Sequence, residues 1–444
     1  MAVPKKDFLW QYVEHWAGVD PAFPALRTDR ESLSYGEFER RSDLLAASFL
    51  ALGLGKGDTI ATMLPMSIEF ILTLIAADKI GAIVTALDVK YKSADLKRFI
   101  FHIEPKLIVS LGGPGSESVP SAVKSACGEL DLPRQPRLVV AGAGGPESFN
   151  GLLSGVKAGD AELAAVKKSQ HPDDGLLVVF TGGTTGVPKA ALLSKRNVAA
   201  MAAAEMEYLG RFIPERTKSI ASLPPSHVGG TVELVGAPLT GGLEIIVHDT
   251  WSPQRVLAAT QAEIIAWMGG VPAMFAITLL MPELDSYDLS CLKVVVMSGE
   301  KVEPEFLQMV REKICPTILI GYGSTEAGSE LTFTDIDDDI HRIGDGYVGK
   351  PLPGVELRIV DDGERELPMG ETGEVLARSP FTIKGYYKMP EEDRAGFTAD
   401  GFCRTGDLGY LTPEGGLYIK GRKKHIIRVG SYTVMPSEVE EVIA

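Results

Sequence analysis

The sequence predicts an α/β protein with a smaller β-rich part toward its carboxyl end, and three observations carry that expectation. Between Ser34 and about Leu111, segments with helical spacing alternate with short apolar runs. In the middle of the chain, three apolar runs end in glycine and polar residues, the pattern of strands buried on both faces of a parallel sheet. Beyond Thr332 the helical spacing fades, and Gly, Pro and Asp separate short β-like runs.

In chain order, Tyr35 to Leu54 has helical spacing, Asp58 to Leu64 reads as a strand, and Ile68 to Ile80 is helical again. Gly112 to about Ser169 is rich in Gly, Pro, Ser and Ala with weak periodicity, so a peripheral, loop-rich segment is expected. The three central runs are Leu176 to Phe180, Leu292 to Met297 and Thr317 to Ile320. They lead into Thr181-Gly182-Gly183-Thr184-Thr185-Gly186, Ser298-Gly299-Glu300 and Gly321-Tyr322-Gly323-Ser324-Thr325-Glu326. Ligands of open parallel sheets sit beyond the carboxyl ends of the strands, so loops distant in sequence can converge on one ligand. Val355 to Val360, Gly373 to Ala377 and Gly416 to Ile419 are the runs of the β-rich part. Ser437 and Glu440 form a capping box ahead of Val439, Val442 and Ile443, predicting a helix that starts just before the chain stops at Ala444.

The chain has 444 residues, 45% hydrophobic and 23% charged, the composition of a soluble globular enzyme of two or more domains. A net charge of −15 argues against holding nucleic acid or an anionic membrane by overall charge. Cys127, Cys291, Cys315 and Cys403 form no CxxC pair, so neither a disulfide framework nor a zinc site is indicated and a reducing cytoplasm is expected. No run of about 18 uninterrupted apolar residues predicts a membrane span.

The strongest chemical signal is Phe180 to Lys189. Its glycines let backbone amides approach phosphate oxygens, the hydroxyls of Thr181, Thr184 and Thr185 add donors, and Lys189 adds a point charge. It is not a Walker A loop, because Val187-Pro188 separates Gly186 from Lys189. Taken alone, the run also reads as a flexible turn, Glu326 as a helix-start carboxylate and Asp407 as a Gly-Asp turn residue.

An ordered set of motifs separates these readings. Leu33-Ser34-Tyr35-Gly36-Glu37-Phe38, Gly55-Lys56-Gly57-Asp58, the Thr181 to Lys189 loop, Pro224-Pro225-Ser226-His227-Val228-Gly229-Gly230, Gly321 to Glu326, Arg404-Thr405-Gly406-Asp407-Leu408-Gly409 and Gly421-Arg422-Lys423-Lys424 follow one another along nearly the whole chain. Together they resemble the acyl-adenylate-forming (AMP-binding) superfamily, in its acyl-CoA synthetase branch. The resemblance implies a large domain over 1–420, with two mostly parallel αβ-layered sheets and a small β-barrel-like subdomain at about 333–420. Residues 421–444 would then be the hinge and start of a small α+β C-terminal domain.

The resemblance also implies roles. Thr181 to Gly186 with Lys189 form the phosphate loop, with Lys189, Thr184 and Thr185 steadying the β- and γ-phosphates. Tyr322 lies under adenine, Ser298-Gly299-Glu300 lie against it, Thr325 contacts the α-phosphate and Glu326 holds Mg²⁺. Asp407 accepts the ribose hydroxyls, Arg422 is a second nucleotide contact, and His227, Val228, Gly229, Gly230 and Gly323 border the acyl pocket. The implied reaction converts a carboxylic acid and MgATP into an acyl-adenylate, then an acyl-CoA.

Two departures stand in the phosphate loop: Gly182 where the family usually has Ser or Thr, and Ala190 where glycine follows the lysine. Weakened or re-tuned ATP handling is expected. In the family the C-terminal domain turns about a hinge, here Lys424, and brings in a lysine near the far C-terminus. The chain stops before such a lysine, so the expectation is a C-terminally truncated chain that binds ATP and acyl-adenylate, forms the adenylate slowly and the thioester hardly at all.

Amino-acid-activating relatives of the family commonly carry an aspartate a few residues after the position of His227 to pair with the substrate ammonium; Val228 to Val235 include none, so the resemblance favours a simple carboxylic acid. Glu233 could do that job, and an adenylation enzyme loading a carrier protein stays open, as does a catalytically weak regulatory binding protein. Gly229, Gly230, Gly269 and Gly270 either leave room for an aromatic, alicyclic or medium-chain acyl group or serve close backbone packing. A homodimer is compatible with the sequence.

Overall fold

The computed structural model describes residues 3–113, 115–145, 147–154, 160–182, 188–423, 427–429 and 432–434. The chain divides into two compact units, Met1–Ser252 with Tyr386–Met389, and Pro253–Gly385 with Pro390–Ala444.

The strands of the first unit are β1 (Pro24–Arg27), β2 (Ser32–Ser34), β3 (Thr59–Met63), β4 (Ile83–Ala86), β5 (Leu107–Leu111), β6 (Arg137–Ala141), β7 (Gly175–Thr181), β8 (Lys189–Ser194), β9 (Lys218–Ala221) and β10 (Glu244–Val247). Six form a sheet in the order β6-β5-β3-β4-β7-β8, parallel except for its last pair. Strands β9, β10, β1 and β2 lie side by side in another, parallel except between β1 and β2.

The helix Tyr35–Ala51 begins where Ser34 Oγ accepts the Glu37 N–H at 3.2 Å, and Ile68–Ile80 where Ser67 Oγ accepts the Phe70 N–H at 3.2 Å. Such caps satisfy donors that the first turn leaves without partners. Helix Ile68–Ile80 is buried on almost every side, as its apolar composition demands, and this encloses Asp78 and Lys79. Burying charges is costly unless they are paired. Lys79 Nζ lies 2.9 Å from Glu39 and 2.7 Å from Asp43, and Asp78 lies 2.9 Å from Lys195 Nζ.

The Gly112 to Ser169 expectation needs correction. The segment contains helices Ser118–Gly128, Phe149–Ser154 and Asp160–Lys168 as well as β6. Its small residues bury little area each, so their period is faint, yet Val123, Ala126 and Cys127 pack against Phe99 and Ile100. Strand β6 is an edge strand whose apolar run is only Leu138 to Ala141, set between Pro133–Pro136 and Gly142–Gly145, too short for periodicity to identify it.

The second unit contains β11 (Ile265–Gly270), β12 (Val294–Ser298), β13 (Ile318–Ser324), β14 (Ser329–Phe333) and β15 (Lys350–Pro351), ordered β15-β14-β13-β12-β11. Strands β11, β12 and β13 are parallel, and β14 and β15 continue the sheet antiparallel. Then β16 (Glu356–Val360), β17 (Gly373–Arg378), β18 (Cys403–Leu411) and β19 (Leu417–Arg422) form an antiparallel meander. Strands β20 (Ile427–Val429) and β21 (Tyr432–Val434) form a hairpin. Of the three central runs, two are adjacent strands, β12 and β13, while the first is β7 of the six-stranded sheet. The Ser437–Glu440 capping box lies outside the described residues.

Candidate active site

In the second unit, β12 and β13 pair in parallel with Ser298 opposite Gly321, so Ser298-Gly299-Glu300 and the Gly321 segment leave the same sheet end. Gly299 has φ +96°, and a Cβ there would meet only Val271 at 3.8 Å. Conformation, not crowding, calls for glycine, and the backbone beside it is open. Gly323 is the opposite case: a Cβ would sit 1.6 Å from the Ser329 carbonyl oxygen, where β14 turns back against β13.

Thr325 and Glu326 occupy the tip of that hairpin, partly exposed. The Ala327 N–H donates to the Ser324 carbonyl and to its Oγ, both at 3.1 Å, and the Ile383 N–H donates to the Glu326 carbonyl at 3.0 Å. Ser329 closes the turn at φ +136°, a conformation rarely adopted outside glycine. Glu326 is thus on a tight turn between antiparallel strands, not at a helix start. Among the described residues no group of three His, Cys, Asp or Glu could hold a metal. A single accessible carboxylate nevertheless fits Mg²⁺, which keeps several waters and is bound through one or two carboxylates together with substrate phosphates.

Tyr322 packs on the meander beside Ile359, Val375 and Leu417, and its hydroxyl donates to Asp407 Oδ2 at 2.9 Å. Asp407, on β18, is only 4% exposed. It faces Arg422 across the β18–β19 pair, and its Oδ1 lies 3.0 Å from Arg422 Nε. Burial raises the Asp407 pKa; the Arg422 charge and the Tyr322 hydrogen bond offset this only in part. Burial, and next the Asp407 charge, hold the Tyr322 hydroxyl well above its ordinary pKa. A carboxylate has about four lone-pair directions, so these two contacts leave acceptor capacity for a diol.

In the first unit, β7 and β8 form an antiparallel pair with Thr181 opposite Lys189, so residues 182–188 connect two hydrogen-bonded strands. Gly182 is exposed with nothing within 4 Å of a Cβ built there. Gly183, Thr184, Thr185 and Gly186 lie outside the described residues, as does Lys424. Lys189 Nζ stands 4.9 Å from the centroid of the Tyr386 ring.

His227 is exposed and Val228 buried at the start of a π-helical turn, Gly229–Gly236. The His227 N–H donates to the Pro224 carbonyl at 3.1 Å, and Thr231 Oγ1 to the Pro225 carbonyl at 2.9 Å. A Cβ on Gly230 would lie 2.2 Å from the Pro224 oxygen, so that glycine serves close packing. A Cβ on Gly229 would lie 3.5 Å from the Glu233 carboxylate, ordinary contact distance. Gly270 of the second unit is also tightly packed, 3.2 Å from Met274 Sδ by the same measure.

Two features escaped the sequence reading. One is Tyr386 at Lys189, whose only signal was the aromatic pair Tyr386-Tyr387. The other is Lys423, paired with Glu374 at 2.8 Å and Asp362 at 3.1 Å beside the expected hinge. No helix among the described residues is long and apolar enough to cross a membrane.

The profile of the AMP-binding enzyme family matches residues 13–387. Indoleacetate–CoA ligase of Aromatoleum aromaticum is 27% identical over 445 residues, covering 98% of this chain and 82% of the relative. 4-Coumarate–CoA ligase CCL1 of Humulus lupulus is 27% identical over 426 residues, covering 93% and 75%. ATP-bound MatB from Rhodopseudomonas palustris superposes with a TM-score of 0.84 at 26% identity, covering 98% of this chain and 83% of that one. The chain belongs to the AMP-binding enzyme family, whose acyl-CoA synthetases are AMP-forming acid–thiol ligases working with ATP, Mg²⁺ and coenzyme A.

Proposed function

We propose that the chain activates a carboxylic acid as its acyl-adenylate, on the way to a CoA thioester. A substrate carboxylate oxygen attacks the α-phosphorus of ATP, the bond to the β-phosphate bridging oxygen breaks, and pyrophosphate leaves. The CoA thiolate then attacks the acyl carbonyl and AMP departs with the electron pair of the anhydride bond. In this reading Asp407 holds the ribose hydroxyls, Arg422 assists, and Tyr322 and Gly299 bound the adenine. Lys189 and the phosphate-loop threonines Thr181, Thr184 and Thr185 orient the phosphates, and Thr325 donates to the α-phosphate. Glu326 would hold Mg²⁺, which when bound neutralises phosphate charge. Such positioning and charge stabilisation need no covalent enzyme intermediate. Lys424 would be the hinge, with residues 421–444 opening a further domain.

The observation that carries this reading is the buried Asp407 carboxylate, held between a phenol and a guanidinium while keeping acceptor capacity. Thermal shifts with non-hydrolysable acyl-adenylate mimics that differ only in the acyl group test it. A mimic at 100 times its Kd adds about 2.7 kcal/mol of stability. The expected result is a selective shift for one acyl class, lost in Asp407→Ala; no shift with any mimic overturns the reading. One observation favours keeping amino acids in the panel: Glu233 is 8% exposed, on the π-helical turn beside Gly229. A selective shift with an aminoacyl mimic would identify an adenylation enzyme that loads a carrier.

A further inference from the structure

Residues Tyr386–Met389 belong to the first unit, although those on either side belong to the second. They run along β8, the strand that leaves the phosphate loop and forms the edge of its sheet. An edge strand presents N–H and C=O groups that need partners. Here Ala191 and Tyr386 form an antiparallel bridge, the Tyr387 N–H donates to the Ala190 carbonyl at 2.7 Å, and the Ala190 N–H donates to Met389 Sδ at 3.4 Å. The segment is itself tied down, with His102 Nε2 2.7 Å from the Tyr387 carbonyl oxygen and Lys388 Nζ 2.6 Å from Glu104. The fully buried Ala190 methyl packs beneath it with Ile83, Val178, Tyr387 and Met389, which accounts for alanine after the lysine.

Tyr386 is 6% exposed, so its ring is held in place, and its face lies 4.9 Å from Lys189 Nζ. A ring face attracts a cation, and a long lysine side chain otherwise samples many rotamers. We propose that Tyr386 is a positioning residue for Lys189. Its ring pre-orders the ammonium at the start of β8, so Tyr386 strengthens ATP binding through Lys189 without touching the nucleotide. This rests on the reading that Lys189 meets the ATP phosphates.

The test is the Kd for MgATP, measured by titration calorimetry on folded protein. Lys189→Ala should weaken binding at least tenfold. Tyr386→Leu should weaken it about 3- to 10-fold, the range of a modest cation–π contact, and Tyr386→Phe by less than twofold. In the Lys189→Ala background, Tyr386→Leu should have no further effect. Fluorinated phenylalanines at 386 keep the ring shape while draining its negative face, and should raise the Kd step by step even if the leucine variant does not fold. Binding that ignores fluorination, or a Tyr386→Leu effect that persists without Lys189, overturns the inference and leaves the proposed function standing. A Lys189→Ala variant with unchanged Kd removes the phosphate role of Lys189, and the inference with it.

Discussion

Asp407→Asn changes one oxygen to a nitrogen, keeps the side-chain shape and removes the charge, so it separates binding from packing. In the proposed site the carboxylate accepts both ribose hydroxyls. Hydrogen bonds to a charged group contribute about 1.5–3 kcal/mol, and asparagine retains one acceptor, so one such bond is lost. At about 1.4 kcal/mol per decade, the Kd for MgATP should rise roughly 10- to 150-fold. The fold should not suffer equally. Arg422 is 63% exposed and can be solvated, so the pair it loses is worth about 0–1 kcal/mol.

The pH dependence works in the same direction. Burial sets the folded-state pKa of Asp407 above its ordinary value of 3.8. The stability linked to this group is therefore complete below 3.8 and lost as pH rises through the folded pKa. At pH 7 the ionised carboxylate weakens the fold, and asparagine relieves that cost. Urea unfolding at neutral pH should show stability equal to or above wild type. Wild-type affinity for ATP should fall as pH drops toward the raised pKa, whereas the variant's should stay flat. A Kd within threefold of wild type would refute the ribose role. A stability loss above about 2 kcal/mol would make Asp407 a structural residue.

Other outcomes follow from particular contacts. Tyr322→Phe removes the 2.9 Å hydrogen bond to Asp407 but keeps the ring, and calorimetry should show ATP binding weakened by about 2- to 10-fold. Gly182→Ser enters open space and adds a hydroxyl donor, so melting should hold while the ATP Kd falls by up to about tenfold. Gly323→Ala forces a methyl onto the Ser329 carbonyl and should cost about 3 kcal/mol or more in urea unfolding, with loss of the Thr325–Glu326 turn. Lys195→Met strands buried Asp78 and should cost about 3–5 kcal/mol, much of it recovered by adding Asp78→Asn.

Some of this molecule is written locally. Helices Tyr35–Ala51 and Ile68–Ile80 announce themselves by spacing and by the capping serines Ser34 and Ser67, because capping and periodicity act within a few residues. Strands β12, β13, β16, β17 and β19 are legible for the same reason, as apolar or alternating runs between turn residues, whereas β18 is not, because its Arg404 to Gly409 stretch reads locally as a turn. Motif order identified the family, since a family's chemistry leaves short strings at fixed places. The Gly112–Ser169 segment is not legible locally, because its helices are rich in small residues and its single strand is short, so neither leaves a strong period.

What the sequence alone left undecided depends on contacts between distant residues. Gly230 serves packing because the Pro224 carbonyl lies where a side chain would go, whereas Gly299 is set by its backbone angle. Composition cannot tell those two glycines apart. Tyr322 reaches Asp407 across 85 residues, and Tyr386 reaches Lys189 only because its segment returns to the first unit to cover β8. Local propensity sets which elements form. Tertiary packing decides which side chains meet, and it is burial that raises the Asp407 pKa and fixes the ring beside Lys189.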